Sequence, residues 1–361
     1  METERCPFPW GLHKQYADEM CMTSGRHHTS PILAGMQYSV TAVVVSYNRA
    51  QLLDECLSAL NAQTRRPDSL VIVDNASTDG ALQVARNFAG RTPIPAHILE
   101  LRENTGGAGG FCAGIAYAVA NGSAEPGIAE YVWLMDDDTV PTPTALEQLL
   151  AAADECVAVN DCLPTALGSK AVWVDGREHL MNKPRPRAVL AKGEREMADG
   201  AYQVRSLSFV SCMLNMGAIR GRRRLPISAF FLWNDDFEYT TALLRNGVGY
   251  YVLASEVVHK TKKFGSSDAD PGPRFYNEVR NKVWMLRFCR SDFSFGGLLS
   301  FLAKTARRWA LTVMRADDRP LILQCLRDGW RDGWHTEPES NAEIFARSYP
   351  DVVPEIERIS L

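Results

Sequence analysis

A chain of 361 residues with 46% hydrophobic and 23% charged residues has the composition of a soluble globular enzyme, which excludes the disordered and fibrous classes. A net charge of -4 supplies no global attraction to nucleic acid, and none is expected as a partner. Nine cysteines without a C-x-x-C pair point to reduced thiols rather than a disulfide framework.

Residues 1–36 read as a polar, poorly ordered leader without a secretory signal; Met36 offers an alternative start, and His27 with His28 reads as a solvated pair. The run "SVTAVVVSYN" (39–48) is a strand buried on both faces, followed by a helix over "RAQLLDECLSALNAQ" and a second buried strand in "SLVIVDNASTDG". Helix "ALQVARNFA", strand "AHILEL", the glycine-rich "RENTGGAGGF", helix "CAGIAYAVAN" and strand "YVWLM" continue the alternation. Such a βαβαβαβ order predicts a parallel sheet with helices on both faces and ligands beyond the carboxyl ends of the strands. From 165 to 258 mixed strands and short helices are expected: "KAVWV", a polar excursion over 175–203, "SLSFVSCMLNM", "AFFLWNDDFEYTTALLRNG" and "GYYVLASEVVH". After 273 the pattern is mostly helical. No stretch of about 18 consecutive apolar residues marks a membrane span.

Polar motifs fall at the strand ends. In "LMDDDT", Asp136 and Asp138 occupy alternate positions of an extended segment and so share a face, where they suit one hard divalent cation, Mn2+ or Mg2+, or simply a solvated turn; Asp137 points elsewhere. Capping of the next helix falls instead to Thr144 and Glu147, spaced as a capping box. "RENTGGAGGFCAGI" (102–115) suits close backbone approach to an anion at a helix N-terminus, or simply a tight strand-to-helix turn. It is neither a dinucleotide fingerprint, since Cys112 stands where the third glycine belongs, nor a Walker loop, since no Gly-Lys-Ser/Thr follows. In "WNDDFEYTTALLRNG" (233–247), Asp235 and Glu238 have capping-box spacing and Gly247 closes the helix, which leaves Asp236 free to act as a general base.

The ordered set "VVVSYNR", "VDNASTDG", "ENTGGAGGF", "LMDDDT", "WNDDFEY", H-K-x-K-K and "YNEVRNKVW" resembles the family 2 glycosyltransferases of GT-A fold, and most of all the actinobacterial galactofuranosyltransferases that build cell-wall galactan. The resemblance implies an α/β fold with a Rossmann-like nucleotide-binding half and a mixed central sheet over 37–284, then a helical extension over 285–361. It implies a UDP-sugar donor contacted by Asn48, Arg49, Asp74, Asn104, Gly106, Gly107, Asp137, Trp233 and Asp235. A cation would sit on Asp136, Asp138 and His259, with Lys260, Lys262 and Lys263 beside the diphosphate. Asp236 would take the acceptor's proton in a single inverting displacement. The acceptor implied is a polyprenyl-diphosphate-linked rhamnosyl or galactosyl glycan, extended by an initiating enzyme at the cytoplasmic face of the plasma membrane. A dTDP-rhamnose-dependent transferase is the alternative within the class; a non-catalytic nucleotide-sugar-binding protein and a nucleotidyltransferase are the alternatives outside it.

Three further features stay open between function and packing. "FGGLLSFLAKTARRWALTVMR" (295–315) places Leu298, Phe301, Leu302, Ala306, Trp309 and Val313 on one face of a basic helix, which suits a peripheral membrane contact or ordinary packing. "RGRRR" (220–224) reads as a solvated loop, and Trp330 and Trp334 as interface anchors or core.

Overall fold

The computed structural model describes residues 36–187, 200–261, 264 and 271–361. Residues 1–35 of the leader, with His27 and His28, and Lys262 and Lys263 lie outside the described residues, while Met36 packs against the core.

The first half folds as its alternation predicts. Strands β1 (Gln37–Ser46), β2 (Ser69–Asp74), β3 (Ala96–Glu100) and β4 (Ile128–Asp136) pair in parallel in the order β3-β2-β1-β4. Between them run helices α1 (Ala50–Asn61), α2 (Ala81–Ala89) and α3 (Gly106–Ala120). β1 has β2 on one side and β4 on the other, so strand order reverses beside it. The crevice beyond the carboxyl ends of β1 and β4 is therefore a topological switch point, the place where open α/β sheets bind ligands.

Past β4 the sheet becomes mixed. Short β5 (Thr139–Pro141), β6 (Ala166–Val172), β7 (Ala201–Gln203), β8 (Cys212–Asn215) and β9 (Gly249–His259) complete nine strands among the described residues, with helix α4 (Ala145–Asn160) between β5 and β6. β8 runs antiparallel to β4 and β6, while β9 is parallel to β6 and antiparallel to β5 and β7. β6 begins four residues before the expected "KAVWV", because its pairing with β9 starts at Ala166 and slips between Ser169 and Lys170.

Helices α5 (Met216–Arg222) and α6 (Asp235–Leu243) follow β8 and precede β9, and a helical tail follows: α7 (Phe275–Phe288), α8 (Phe295–Arg315), α9 (Arg319–His335), α10 (Asn341–Ser348) and α11 (Val353–Ser360). One sheet face packs on α1, α2 and α4 through Leu53, Leu57, Phe88 and Leu149. The other packs on α3, α5 and α6, and its core also takes Phe345, Ile356 and Ile359 from the last two helices. Gly110 and Gly114 let α3 lie directly on β1: a Cβ on either would come within 2.4 Å of Val45 or Val43.

Several local expectations give way to tertiary contacts. Thr144 sits at the N-cap of α4 but makes no side-chain cap, and Glu147 instead accepts from Thr64 Oγ1 at 2.6 Å. The Asp235/Glu238 box does not form either: Asn234 holds the N-cap position of α6, and Glu238 is buried against Arg224. α6 ends at Leu243, four residues short of Gly247, whose missing side chain makes room for Thr165. "RGRRR" is no solvated loop. Arg220 pairs with Glu130, Arg222 with Asp292, and Arg224 with both Glu238 and Asp292, while Arg223 donates to the Leu361 carbonyl.

On α8 the predicted face is largely the packing face. Phe301 is buried, and Trp309 and Val313 lean on the cluster of α7 and α9. Leu302 of the predicted face stays exposed, as do Phe295 and Leu299 outside it; on α9, Trp330 and Trp334 are about half exposed and touch edge to face.

Candidate active site

β4 delivers Asp136 to the switch point, and the turn after it places Asp137 and Asp138. Asp137 turns back toward β1: its Oδ2 accepts from Ser46 Oγ at 2.9 Å and from the Tyr47 amide at 3.2 Å. Arg49 Nη1 bridges Asp137 Oδ1 at 3.1 Å and Asp138 Oδ2 at 2.6 Å. Asp138 then meets His259, because the β5–β9 ladder sets Thr139 opposite His259 and Nε2 of the imidazole lies 3.3 Å from Asp138 Oδ1.

Charge is not balanced over the three acids. Burial would raise Asp138, but His259 and Arg49 outweigh it and hold the carboxyl below its usual value. Burial pushes Asp137 up to about 6. Asp136 is pushed well above the carboxylate range, first by burial and then by Asp138 and Asp137, with Arg49 offsetting only part. Asp235 also contributes to that rise, which puts α6's acidic N-terminus within electrostatic reach of Asp136, although the two are 99 positions apart.

A hard cation fits this donor set. Asp136, Asp138 and His259 each offer one ligand atom, all within 4.8 Å of one another. Asp138 Oδ1 is buried without a hydrogen-bond partner, and two carboxylate oxygens with one imidazole nitrogen suit Mn2+ or Mg2+.

The acidic cluster stands on a strained turn. Leu232 N donates to Phe230 O at 2.6 Å across Phe231, whose φ of 62 and ψ of -58 define the rare γ-turn. Trp233 and Asn234 follow with φ of 68 and 69. Such backbone persists only where its surroundings over-determine it. Here buried Asn281 of α7 donates to the carbonyls of Phe230, Leu232 and Trp233 at 2.9, 3.0 and 3.0 Å, and Arg280 donates to those of Ala229 and Phe230. Asp235, buried, is pushed up to about 8 by burial and by Asp236. Asp236 is also raised by burial, held back by the Phe237 amide and the Ser208 hydroxyl.

The glycine-rich turn meets the same loop. Gly106 has φ +71, and the Ala108 amide donates to Phe231 O, so part of α3's N-terminus is occupied by protein. Asn104 Oδ1 accepts from Gly106 N, while the Cβ position of Gly107 opens onto free space. Asp74 is buried, with Oδ1 unpartnered. Exposed Asn48 accepts from Thr78 N at 2.7 Å. Lys260 is drawn to Glu55 of α1. The residues sequence reasoning missed are Asn281, Ser208 and Asn182, the last of which takes His259 Nδ1 at 2.9 Å.

The family model described as Glycosyl transferase family 2 matches residues 41–216. Galactofuranosyltransferase GlfT1 of Mycobacterium tuberculosis is 30% identical over 304 residues, spanning 79% of this chain and 93% of its own length. The chain belongs to glycosyl transferase family 2. The Mycolicibacterium smegmatis protein of the same name is 43% identical over 115 residues, 32% of this chain and 35% of its own. The GT-A fold of this glycosyltransferase is shared with S. aureus TarS 1-349 in complex with UDP-GlcNAc, at a TM-score of 0.53 and 16% identity over 89% of each chain. Among the described residues no helix is long and apolar enough to cross a membrane.

Proposed function

We propose that this glycosyltransferase moves galactofuranose from UDP-galactofuranose onto a lipid-linked rhamnosyl or galactosyl acceptor, with inversion and with dependence on Mn2+ or Mg2+. The observation that carries the reading is the convergence of two acidic motifs on one crevice. Asp136, Asp138 and His259 each offer a ligand atom within 4.8 Å of one another at the switch point, and Asp235 at the start of α6 adds to the upward pull on Asp136. The relatives named galactofuranosyltransferase support the donor sugar, and the TarS complex supports a UDP-linked one.

When bound, a divalent cation on these three residues supplies positive charge for the diphosphate of the leaving nucleotide. Asp74, Asn48 and Asn104 surround the nucleoside end. Asp236, which burial raises and the Phe237 amide partly holds back, accepts the proton of the attacking hydroxyl, a role worth about 10²–10⁴-fold in rate. Asp235, buried and raised, is the protonated neighbour that leaves Asp236 as the charged member. For the acceptor's lipid, the exposed stripe of Phe295, Leu299 and Leu302, close in sequence to Lys304 and Arg307, offers a peripheral contact with an anionic membrane face.

The test is UDP release from UDP-galactofuranose with a lipid-linked rhamnosyl acceptor, with dTDP-rhamnose as a second donor. We expect turnover with the first donor only, its loss on chelation, and kcat about 10²–10⁴-fold lower in Asp236→Asn. Turnover with dTDP-rhamnose alone would replace the donor; an unaffected Asp236→Asn would remove the base.

A further inference from the structure

Before β8, part of the polar excursion lies against β7 and the residues that follow it. Pro186 bridges Val204 in antiparallel register, Arg187 N donates to Gln203 O at 2.8 Å, and Tyr202 Oη donates to Pro184 O at 3.0 Å. That register sets Arg185 directly opposite Arg205, and both are exposed. Like charges facing each other across an antiparallel pair destabilise it. Arg205 also reaches α8, where a Cβ on Gly297 would come within 2.9 Å of its Nη2. Lys304 stands two turns further along the same side of α8, and burial, then Arg185 and Arg205, hold its ammonium below the ordinary lysine value.

Among the described residues none of these three cations has a carboxylate partner, whereas Arg220, Arg222 and Arg224 each have one. A bound anion would offset the repulsion. The same two segments lead inward to the cation site: Asn182, three residues before Arg185, places its Oδ1 2.9 Å from His259 Nδ1, and its Nδ2 donates at 3.2 Å to Ser208 Oγ, three residues after Arg205. Three extended residues span about 10 Å. The arginine pair therefore stands outward of the His259 contact, where a second phosphate-bearing group would lie. Gly297 is on the side of α8 opposite Phe295, Leu299 and Leu302, so Arg205 approaches the helix from the side away from that exposed stripe. This favours the diphosphate of a substrate over the headgroups of a bilayer.

We infer that Arg185 and Arg205, flanked by Lys304, bind the diphosphate of the lipid-linked acceptor, apart from the donor's diphosphate on the cation. Guanidinium forks take phosphate oxygens two at a time, and two forks side by side suit the paired phosphates of a diphosphate. The inference rests on the lipid-linked acceptor proposed above and adds where its charged linker docks.

The test titrates geranyl diphosphate, a short soluble isoprenyl diphosphate, into the purified full chain by calorimetry, without divalent metal so that the probe stays off the cation site. The Arg185→Gln/Arg205→Gln double variant should bind it about 10–100-fold more weakly than the wild type. Arg205→Lys, which keeps the charge without the fork, should fall between them. In turnover, the double variant should raise the KM for the lipid-linked acceptor by a similar factor and leave kcat and the donor KM near the wild type's. Its unfolding midpoint should be no lower than the wild type's, because two facing like charges are gone. A lower midpoint with unchanged probe affinity marks a structural pair and overturns the inference. So does a wild type that does not bind the probe, or a double variant that loses binding only to phosphatidylglycerol vesicles, which would assign the cluster to membrane headgroups. A wild type that binds the probe through these arginines but turns over no lipid-linked acceptor takes down the acceptor reading while the diphosphate site stands.

Discussion

A methyl group on Gly106 would sit 1.9 Å from the carbonyl oxygen of Phe231, at a φ of +71 that side chains avoid. Gly106→Ala must therefore push the strained turn away from α3, and a loss of about 1–3 kcal/mol is expected in denaturant unfolding. Gly107→Ala, with open space around its Cβ, should leave the unfolding midpoint near the wild type's. Asp235 gives a second test at this scale. With its folded value near 8 and an unfolded value of about 4, the folded chain retains a proton that the unfolded chain has released. Stability from this group is complete at low pH, declines as pH rises past about 4, and is lost as pH passes about 8. Asp235→Asn needs no proton, so in metal-free buffer its unfolding midpoint should exceed the wild type's most at alkaline pH, with the gap narrowing toward pH 5. A gap independent of pH would contradict the assignment.

α6 is held at its outer end by ions rather than by a cap. Arg224 spans buried Glu238 of α6 and buried Asp292, so it ties the helix that carries Asp236 to the segment leading into α8. Arg224→Met would leave buried Glu238 without its partner while Asp292 keeps Arg222, and a loss of about 3–5 kcal/mol follows from breaking a buried pair on one side. Adding Glu238→Gln should recover part of it in the same unfolding measurement. None of this was readable from the run of arginines, whose partners lie up to 138 positions away. The γ-turn was equally hidden, since Phe231 and Trp233 carry no turn signature and the loop's carbonyls are held by Asn281 from α7. Capping motifs misled for a related reason: Glu147 and Glu238 found partners in other elements and abandoned the local box. The triple aspartate was legible because its spacing on an extended strand end decides which acids share a face, and only Arg49's bridge to Asp138 complicates that picture.

Across the molecule, β1, β2 and β4 could be read from sequence because strands buried on both faces appear as continuous apolar runs. β7 and β8 were harder, being three and four residues long and set by antiparallel pairing across long separations. The role of the last helices was also out of reach of periodicity. α10 and α11 place Phe345, Ile356 and Ile359 in the core beneath α3, so a chain ending at residue 340 should expose that face, melt lower and bind a hydrophobic dye. A truncation with an unchanged melting temperature would contradict this packing.

Central to the account is a cation shared between Asp136, Asp138 and His259 and a nucleotide diphosphate. The direct measurement is calorimetry of UDP binding with and without Mn2+, on the wild type and on the Asp136→Asn/Asp138→Asn double variant. The account predicts UDP affinity at least about tenfold higher with Mn2+ in the wild type, roughly 1.4 kcal/mol, and no response to Mn2+ in the double variant. Equal UDP affinity in the wild type with and without Mn2+ would contradict it.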